Sequence, residues 1–315
     1  MAATRPFSPF EFLIAWRYLR ARRSEGGVSV MTWISLVGIT LGVMALVATL
    51  AVRAGFRDEL VKTILGANPH VTLYSDFRTD AEGTQTATIA DADALAARIA
   101  AVPGVLRATP RVVGFGMLTA GDQSSVAEVL GVPESELAAL PSFKDAPQTQ
   151  GRIEDFPTGI AIGAGIARKL SVGPGDTVKL LSPNGAKTAF GTSPRINSYK
   201  VAYVFSAGRA DVDDARVYMP TAEAQSFFNR EGVADDIAIF LKNPDDLAAI
   251  TPGIIAAAGE GHYIWTWKDA SSAFLNALSI EDDIMFVILS LIVLIATMNI
   301  TSGLVMLVKN KGRDI

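Results

Sequence analysis

The sequence has no cysteine, only two histidines and no phosphate-binding glycine loop, and each absence excludes a class of chemistry. Without cysteine there is no disulfide framework, no thiolate ligand for zinc or an iron–sulfur cluster, and no thiol nucleophile. His70 and His262 lie far apart and outside any HExxH pattern, so no metal site is predicted. Neither the GxxxxGK[ST] motif for ATP phosphates nor the GxSxG motif of serine hydrolases occurs in the 315 residues.

Two weaker chemical motifs have simpler structural explanations. The Gly-Ala-Gly sequence at 163–165 resembles the start of a dinucleotide-binding loop, but Arg168 stands where the third glycine belongs. A strand-to-helix turn is predicted there instead. Acidic pairs such as Asp213-Asp214 are interpreted as surface and capping charges. No catalytic residue, no metal and no cofactor is therefore predicted, and the chain is not expected to be an enzyme.

Net charge is small, at −4, and the pI is about 5.3. A protein that binds nucleic-acid phosphates usually has a positively charged surface, so a nucleic-acid partner is disfavoured. Hydrophobic residues make up 50% of the sequence, more than is usual for a soluble domain, which points to a membrane contribution.

Two apolar runs account for this composition. Val28–Val52 and Ile284–Val308 each contain 25 residues without a charge, which is long enough to cross the hydrocarbon core of a bilayer. The alternatives are buried core helices and, for the first run, a cleavable signal peptide. The first run is longer than a usual signal-peptide core and about 27 residues precede it, so a retained membrane helix is predicted.

The charges around these runs predict an orientation. Residues 1–52 carry a net charge of +3, residues 284–315 carry +2, and residues 53–283 carry −9. Because positive flanks stay on the cytoplasmic side, both ends are expected in the cytoplasm and residues 53–283 outside. Residues 1–27 contain a basic amphipathic pattern, predicted to lie in the membrane interface or to pack against the membrane helices.

Residues 53–283 alternate between strand and helix patterns, which predicts an α+β domain inserted between the two membrane helices. The pattern beyond Asp269 is helical into the second apolar run. Predicted strands lie at 70–75, 105–109, 112–119, 126–130, 159–162, 176–181, 199–205, 216–219, 237–241 and 262–266, and predicted helices at 91–101, 134–140, 164–170, 221–229 and 244–257.

Small residues line one side of the first apolar run. Gly38 and Gly42 form a GxxxG pattern that Ala45 continues at helical spacing, so another helix of this chain or of a partner can approach closely there. Small residues also occur by chance in membrane helices.

Residues 182–195 are rich in proline, glycine and serine and separate two strand patterns, which predicts an exposed hairpin loop. Pro183 and Pro194 flank the loop and Phe190 lies near its tip, so the loop is either a docking element or a hairpin without a binding role.

Several long segments resemble the LolC/LolE family, the membrane subunits of the bacterial lipoprotein-releasing ABC transporter. The most specific segment is Trp33–Leu65, WISLVGITLGVMALVATLAVRAGFRDELVKTIL. Further matching segments are ALPSF at 139–143, IAIGAGIARKLSVGPGDTVKL at 160–180, and the second apolar run with its LVKNKGRDI tail. The resemblance covers nearly the whole chain.

The resemblance implies a MacB-like periplasmic core and a non-catalytic permease of the inner membrane. In this family a separate cytoplasmic ATPase, LolD, binds ATP, a second LolC/LolE-type subunit completes the complex, and lipoproteins pass to the periplasmic carrier LolA. The resemblance also implies site residues. Acyl-chain contacts are expected at Met44, Val47, Leu50, Ile288 and Ile292, and carrier docking at Pro183, Phe190 and Pro194.

Family members continue beyond this point through a cytoplasmic coupling segment and two further membrane helices. Residues 309–315 are therefore expected to begin that segment, in a chain that is truncated. Two alternatives remain open: a related permease of the MacB or FtsX kind with another substrate or a regulatory role, and a two-span receptor with an external ligand-binding domain.

Overall fold

The computed structural model describes residues 9–20, 26–79, 85–140, 149–183, 185, 187–188 and 191–311. The chain divides into a helical unit, residues 1–56 with 276–315, and an α+β unit, residues 57–275. The predicted external domain, 53–283, therefore exceeds the observed α+β unit by a few residues at each end.

The described helices are α1 (Pro9–Arg20), α2 (Gly26–Gly66), α3 (Ala92–Ala100), α4 (Glu134–Ala139), α5 (Ala164–Leu170), α6 (Ala210–Asp213), α7 (Thr221–Phe228), α8 (Leu247–Ala258), α9 (Trp267–Ala270) and α10 (Ser272–Lys311). Short 3-10 helices lie at Ile153–Thr158 and Pro244–Asp246. The described strands are β1 (Val71–Ser75), β2 (Arg78–Thr79), β3 (Gln85–Thr86), β4 (Ile89–Ala90), β5 (Val105–Ala120), β6 (Gln123–Val132), β7 (Gln150–Gly151), β8 (Ile160–Gly163), β9 (Thr177–Ser182), β10 (Lys187–Thr188), β11 (Gly191–Thr192), β12 (Arg195–Phe205), β13 (Arg216–Pro220), β14 (Val233–Ala234), β15 (Asp236–Leu241) and β16 (His262–Thr266).

The two long helices extend well beyond the apolar runs at 28–52 and 284–308. In α2 the pattern after Val52 becomes amphipathic, and Val61, Ile64 and Leu65 pack into the core of the α+β unit. Helix α2 ends at Gly66, shortly before Pro69. A proline cannot continue a helix and disfavours helical geometry in the residue before it. The first apolar run therefore underestimates the length of α2, whereas the helical pattern from Asp269 into the second run agrees with the early start of α10 at Ser272.

Ten strands form one mixed sheet in the α+β unit, in the order β16-β1-β15-β5-β6-β13-β8-β12-β7, with β9 between β5 and β12. The β6–β13 and β8–β12 pairs are parallel, and the remaining pairs are antiparallel. The predicted α+β class is confirmed.

Helices cover one face of this sheet in two places. Helices α3 and α8 pack on β1 and β15, while α5 and α7 pack on β6, β8 and β13. Alternate residues point to opposite faces of a strand. In β15, Ile237 and Ile239 therefore enter the core beneath α3 and α8, while Ala238 and Phe240 face the other side.

Strand β5 corrects the sequence prediction at one point. The prediction of two separate strands at 105–109 and 112–119 is wrong, because β5 runs without interruption from Val105 to Ala120. Its first half pairs with β15 and its second half with β6 and β9. Pro110 lies in the first half, which pairs with β15 alone among the described strands, so its missing N–H is tolerated as on an edge strand.

Candidate functional site

The two long helices contact each other through one regular face. In α10 the half-buried residues recur at alternating steps of three and four, and α2 shows compatible spacing. This spacing is the pattern of helices that cross at a shallow angle with interlocking side chains. The half-buried residues are Ile39, Gly42, Leu46 and Arg53 of α2 and Leu278, Asp282, Met285, Leu289, Ile292 and Ala296 of α10.

Two contacts establish that the helices are antiparallel and define their register. A Cβ built on Gly42 would lie 3.8 Å from Cγ2 of Ile292, and Arg53 forms an ion pair with Asp282. The contacts are 11 residues apart on α2 and 10 apart on α10. Nearly equal separations are expected because every α-helix rises by the same distance per residue. Of the predicted small-residue face, Gly42 meets the second helix, whereas a Cβ built on Gly38 would have no neighbouring atom within 4 Å and Ala45 is exposed.

The five residues expected to contact acyl chains do not form one surface. Ile292 is half-buried against Gly42, whereas Met44 and Val47 are 59% and 58% exposed. With about 100° between successive residues, Met44 lies opposite the packed face of α2, while Leu50 and Ile288 border the packed faces. The structure therefore brings Leu50, Ile288 and Ile292 close to the seam between the helices and leaves Met44 and Val47 away from it.

The predicted hairpin loop contains a small ladder. Ser182 pairs with Arg195 at its base, and β10 pairs with β11 above it. Pro183 and Pro194 are exposed on either side of the base, as expected for a presented loop. Phe190 lies outside the described residues.

A polar anchor holds the base of this hairpin, and the sequence reasoning missed it. The Arg195 guanidinium donates to the carbonyls of Ser226 and Phe227 at the end of α7 and to Oδ1 of Asn229 at 2.8 Å. Asn229 in turn donates from Nδ2 to the Gly185 carbonyl at 3.2 Å. Asn229 has a positive φ of 55°, a conformation that asparagine tolerates at helix ends. The hairpin is thereby joined to α7.

Beside the hairpin, an apolar row crosses four neighbouring strands. The residues are direct cross-strand partners, so their side chains share a face of the sheet. Val126 and Ile196 are 69% and 57% exposed, Met117 is 37% exposed, and Leu181 is half-buried. The order across the sheet is Val126 on β6, Met117 on β5, Leu181 on β9 and Ile196 on β12.

A cleft of about 1350 Å³ opens in the α+β unit. Its lining includes four arginines and four carboxylates, and every one of them belongs to an ion pair. The pairs are Arg111–Asp236 at 2.7 Å, Arg209–Asp211 at 2.5 Å, Arg216–Glu128 at 3.1 Å and Arg230–Asp235 at 3.0 Å.

The best-buried pair is bidentate. Nε and Nη2 of Arg111 donate to the two oxygens of Asp236, whose side chain is 2% exposed. Burial alone lowers the pKa of Arg111, but the adjacent Asp236 carboxylate outweighs burial and the pKa is raised. Tyr74 lies close to both; burial and the Asp236 charge raise the pKa of its hydroxyl. Arg111 therefore stays charged and the Tyr74 hydroxyl stays neutral near neutral pH.

Two of these arginines also cap the end of α2. Arg216 donates through Nη1 to the Ala67 carbonyl at 2.9 Å and to Oδ1 of Asn68 at 3.0 Å. Nη1 of Arg209 lies 3.4 Å from the Ile64 carbonyl, which also accepts from Nδ2 of Asn68 at 3.2 Å. The last carbonyls of a helix lack intrahelical partners and attract cations, so these contacts secure the end of α2 within the α+β unit.

The Gly-Ala-Gly segment at 163–165 is the strand-to-helix turn predicted for it. β8 ends at Gly163 and α5 begins at the next residue. A Cβ on Gly163 would lie 2.2 Å from the carbonyl oxygen of Asp213, so close packing against α6 explains the glycine. Among the described residues, no group of three or more histidines, aspartates or glutamates is arranged to hold a metal ion.

A mixed α+β unit between two helices that are each long and apolar enough to cross a membrane defines a class of α+β domains with candidate membrane spans on both sides. The chain belongs to the family of MacB-like periplasmic core domains, whose model matches residues 32–257. This match confirms the predicted fold.

Curated relatives confirm the resemblance to the LolC/LolE family. The lipoprotein-releasing system transmembrane protein LolC of Neisseria meningitidis is 28% identical over 97% of this chain and 72% of that protein. The corresponding LolE of Haemophilus influenzae is 26% identical over 96% of this chain and 72% of that protein. The solved periplasmic region of MacB from Actinobacillus actinomycetemcomitans matches 68% of this chain and 96% of that chain, with 13% identity and a TM-score of 0.45.

Proposed function

We propose that this chain is a permease subunit of an ABC transporter that extracts lipoproteins from the inner membrane and delivers them to a periplasmic carrier. The observation that carries the proposal is similarity to LolC and LolE proteins along 96–97% of the chain, including both long helices and the domain between them. The subunit itself performs no chemistry: a separate LolD-like ATPase binds and hydrolyses ATP, and a second LolC/LolE-type subunit completes the pair.

In this proposal the chain lies in the inner membrane as a multi-pass protein. Both ends of the chain are cytoplasmic, and the α+β unit is periplasmic. The positive charges that flank the apolar runs and the acidic segment between them support this orientation.

The lipid part of the cargo is assigned to the helix pair. Leu50, Ile288 and Ile292 lie at or beside the seam between α2 and α10, so an acyl chain bound along the seam would contact them. Met44 and Val47 are exposed on other sides of α2, where they would contact an acyl chain on a neighbouring helix or bulk lipid.

The carrier, LolA, is assigned to the hairpin. Two features of the described residues support this assignment: the Arg195–Asn229 anchor holds the base in place, and the apolar row of Val126, Met117, Leu181 and Ile196 continues the exposed surface next to it. An exposed apolar surface beside a presented loop is typical of a protein-binding site.

Purification of the full-length protein from its own membrane tests the proposal. We expect a LolD-like ATPase and triacylated lipoproteins to copurify, and ATP to release the lipoproteins only when LolA is present. Copurification of an ATPase with ATP-dependent export of another substrate would instead support the MacB-like alternative. Absence of both ATPase and lipoprotein would contradict the proposal.

A further inference from the structure

Strand β16 forms one end of the large sheet. Among the described residues it pairs only with β1, in unbroken antiparallel register from His262 opposite Ser75 to Thr266 opposite Val71. Edge strands are usually protected against pairing with another chain by proline, a bulge or charged side chains. The sequence HYIWT contains no proline, lysine, arginine or acidic residue, and its register with β1 shows no bulge. No feature of β16 itself therefore opposes a further strand.

The main-chain hydrogen bonds of β16 alternate between its two sides. The Trp267 N–H donates to the His70 carbonyl, and the Gly261 carbonyl accepts from the Asp76 N–H. Because hydrogen-bonded positions alternate along an antiparallel strand, the odd-numbered residues of β16 bond towards β1. The N–H and carbonyl groups of its even-numbered residues therefore point away from the sheet.

One of these outward groups is already occupied. The Thr266 N–H donates to Oδ2 of Asp269 at 2.9 Å, which caps one end of the edge. The outward N–H and carbonyl groups of His262 and Ile264, and the carbonyl of Thr266, have no strand beside them within the described part of the chain. The edge is therefore open in its middle and at its first residue.

The sheet face beside this edge carries exposed aromatic side chains. Tyr263 and Trp265 are 45% and 49% exposed and are cross-strand partners of Tyr74 and Thr72, whereas Ile264 between them packs towards the core. The rings of Tyr74 and Tyr263 are stacked with their centroids 5.4 Å apart. Aromatic residues are enriched in protein interfaces. The exposed face next to the edge therefore has the composition of an interface.

The main chain of β16 is complementary to a second copy of itself. In an antiparallel pair centred on Ile264, the Ile264 residues of the two copies exchange both of their outward hydrogen bonds. The His262 N–H of each copy then reaches the Thr266 carbonyl of the other. The Thr266 N–H is not needed, so its hydrogen bond to Asp269 is kept.

Side chains favour the same register. Tyr263 of each copy lies directly opposite Trp265 of the other, which extends the stack of Tyr74 and Tyr263 across the junction. Glu260, in the turn before β16, and Lys268, in the first turn of α9, are both exposed. At each end of the paired strands, Glu260 of one copy comes beside Lys268 of the other. Charge complementarity therefore favours self-association in this register.

The neighbouring register, centred on Tyr263, lacks these advantages. It places Glu260 of one copy beside the Asp269 carboxylate of the other, and like charges at opposite positions are destabilising. It also places Trp265 opposite Gly261, which has no side chain to contact. The two registers therefore differ in charge and in aromatic contact, although both can form main-chain hydrogen bonds.

We propose that two copies of this chain associate through their β16 strands, which pair antiparallel about Ile264 and join the two sheets into one. The occupant is a second copy because the edge is complementary to itself in hydrogen bonds, aromatic side chains and charge, as a two-fold interface requires. The inference goes beyond the proposed function and does not rest on it, since the pairing needs neither cargo nor ATPase.

Disulfide crosslinking in native membranes tests the pairing on the full chain, which has no cysteine of its own. Two differently tagged copies are co-expressed, one with Tyr263→Cys and the other with Trp265→Cys, and are oxidised before solubilisation. Opposite residues at such a position have Cα atoms about 4.5 Å apart, within the range of a disulfide. We expect about tenfold more disulfide than between two copies with Ile196→Cys, an exposed position on β12 at the other side of the sheet.

The register is tested by a second cysteine pair. Two copies that both carry Tyr263→Cys hold their cysteines at diagonal positions about 7–8 Å apart, beyond the reach of a disulfide. We expect about tenfold less disulfide between them than in the mixed pair. An equal or greater yield would overturn the register centred on Ile264.

Charge reversal examines the attraction at the ends of the strands. Glu260→Lys sets a lysine beside Lys268 of the other copy at both ends, so the disulfide between positions 263 and 265 should fall about fivefold. Adding Lys268→Glu should restore it, which a misfolded variant would not do. Glu134→Lys reverses an exposed glutamate on α4 and controls for the change in net charge.

The outcomes separate this interface from the proposed function. A disulfide yield at 263–265 no higher than at 196, or a loss in Glu260→Lys that Lys268→Glu does not rescue, would overturn the interface. A different polypeptide crosslinked at position 263 in place of the second copy would also overturn it. If ATPase and lipoprotein copurify while the copies do not crosslink, only the interface fails; if the copies crosslink but neither copurifies, only the proposed function fails.

Discussion

Arg53 of α2 and Asp282 of α10 form an ion pair between the two long helices, on the same face as the contact of Gly42 with Ile292. The side chains are 31% and 37% exposed, so neither is fully solvated within the protein. Charges on an otherwise apolar helix face are rare and usually paired, because each carries a desolvation cost. This pair therefore sets the register of the helices more strictly than apolar contacts alone.

Removing one partner of this pair should loosen the helices. We expect Arg53→Ala to destabilise the helix pair by about 1–2 kcal/mol, less than for a fully buried pair because both side chains retain solvent. The double reversal Arg53→Asp with Asp282→Arg should restore most of the loss. Because the chain has no cysteine, disulfide formation between Leu46→Cys and Leu289→Cys measures the contact without background. Equal crosslinking in Arg53→Ala and wild type would contradict the role of the pair.

The two glycines of the GxxxG pattern should respond differently to substitution. A Cβ at Gly42 just meets Ile292, so the longer side chain of Gly42→Leu would push the helices apart. A Cβ at Gly38 has no neighbouring atom within 4 Å, so Gly38→Leu has room to extend away from the second helix. We expect crosslinking of the same cysteine pair to drop several-fold in Gly42→Leu and to remain near the wild-type level in Gly38→Leu. A larger effect at position 38 would mean that a partner helix uses this face.

Local patterns predicted most of the α+β unit because they depend on neighbouring residues. The predicted helix at 164–170 and strand at 262–266 agree with the structure to the residue, and each directly follows a glycine that separates it from the preceding element. Short strands such as β7 and β14 were missed, since two residues carry no periodicity. The continuous β5 was missed because proline usually interrupts a strand, and only the sheet order shows why this one does not.

The site depended on contacts that no local pattern reveals. Arg111 and Asp236 are 125 residues apart in sequence, and Arg216 and Glu128 are 88 apart. Their pairing follows from the order of strands, so the sequence showed only scattered charges where the structure shows a neutralised cleft. Likewise, the proline-rich composition predicted the hairpin, whereas its anchor by Arg195 depends on the end of a helix about 30 residues away.

Loss of the hairpin anchor should free the loop without unfolding the domain. Arg195→Ala removes hydrogen bonds to the end of α7 and to Asn229, so the ladder of β10 and β11 should exchange its amide hydrogens about tenfold faster, as expected for loss of ~1.4 kcal/mol. Lys200→Ala, at an exposed position on the same strand, is the matched control. Hydrogen exchange with mass spectrometry measures both. If exchange at 187–192 is the same in the two variants, the anchor does not hold the hairpin.

His70 should make the α+β unit sensitive to mild acid. Its Nδ1 accepts a hydrogen bond from the Leu241 N–H at 2.9 Å, and burial, aided by nearby Arg107, lowers its pKa to about 4 from an ordinary value of 6.5. Between pH 4 and pH 6.5 the unfolded chain binds a proton at His70 that the native state excludes. The contribution of neutral His70 to the free energy of unfolding is therefore complete above pH ~6.5 and is lost as the pH falls towards 4. His70→Asn keeps an acceptor oxygen near the same place but does not titrate. We therefore expect the melting temperature, followed by tryptophan fluorescence, to fall less steeply from pH 6.5 to 4 in this variant than in wild type. Parallel curves would show that other groups cause the acid sensitivity.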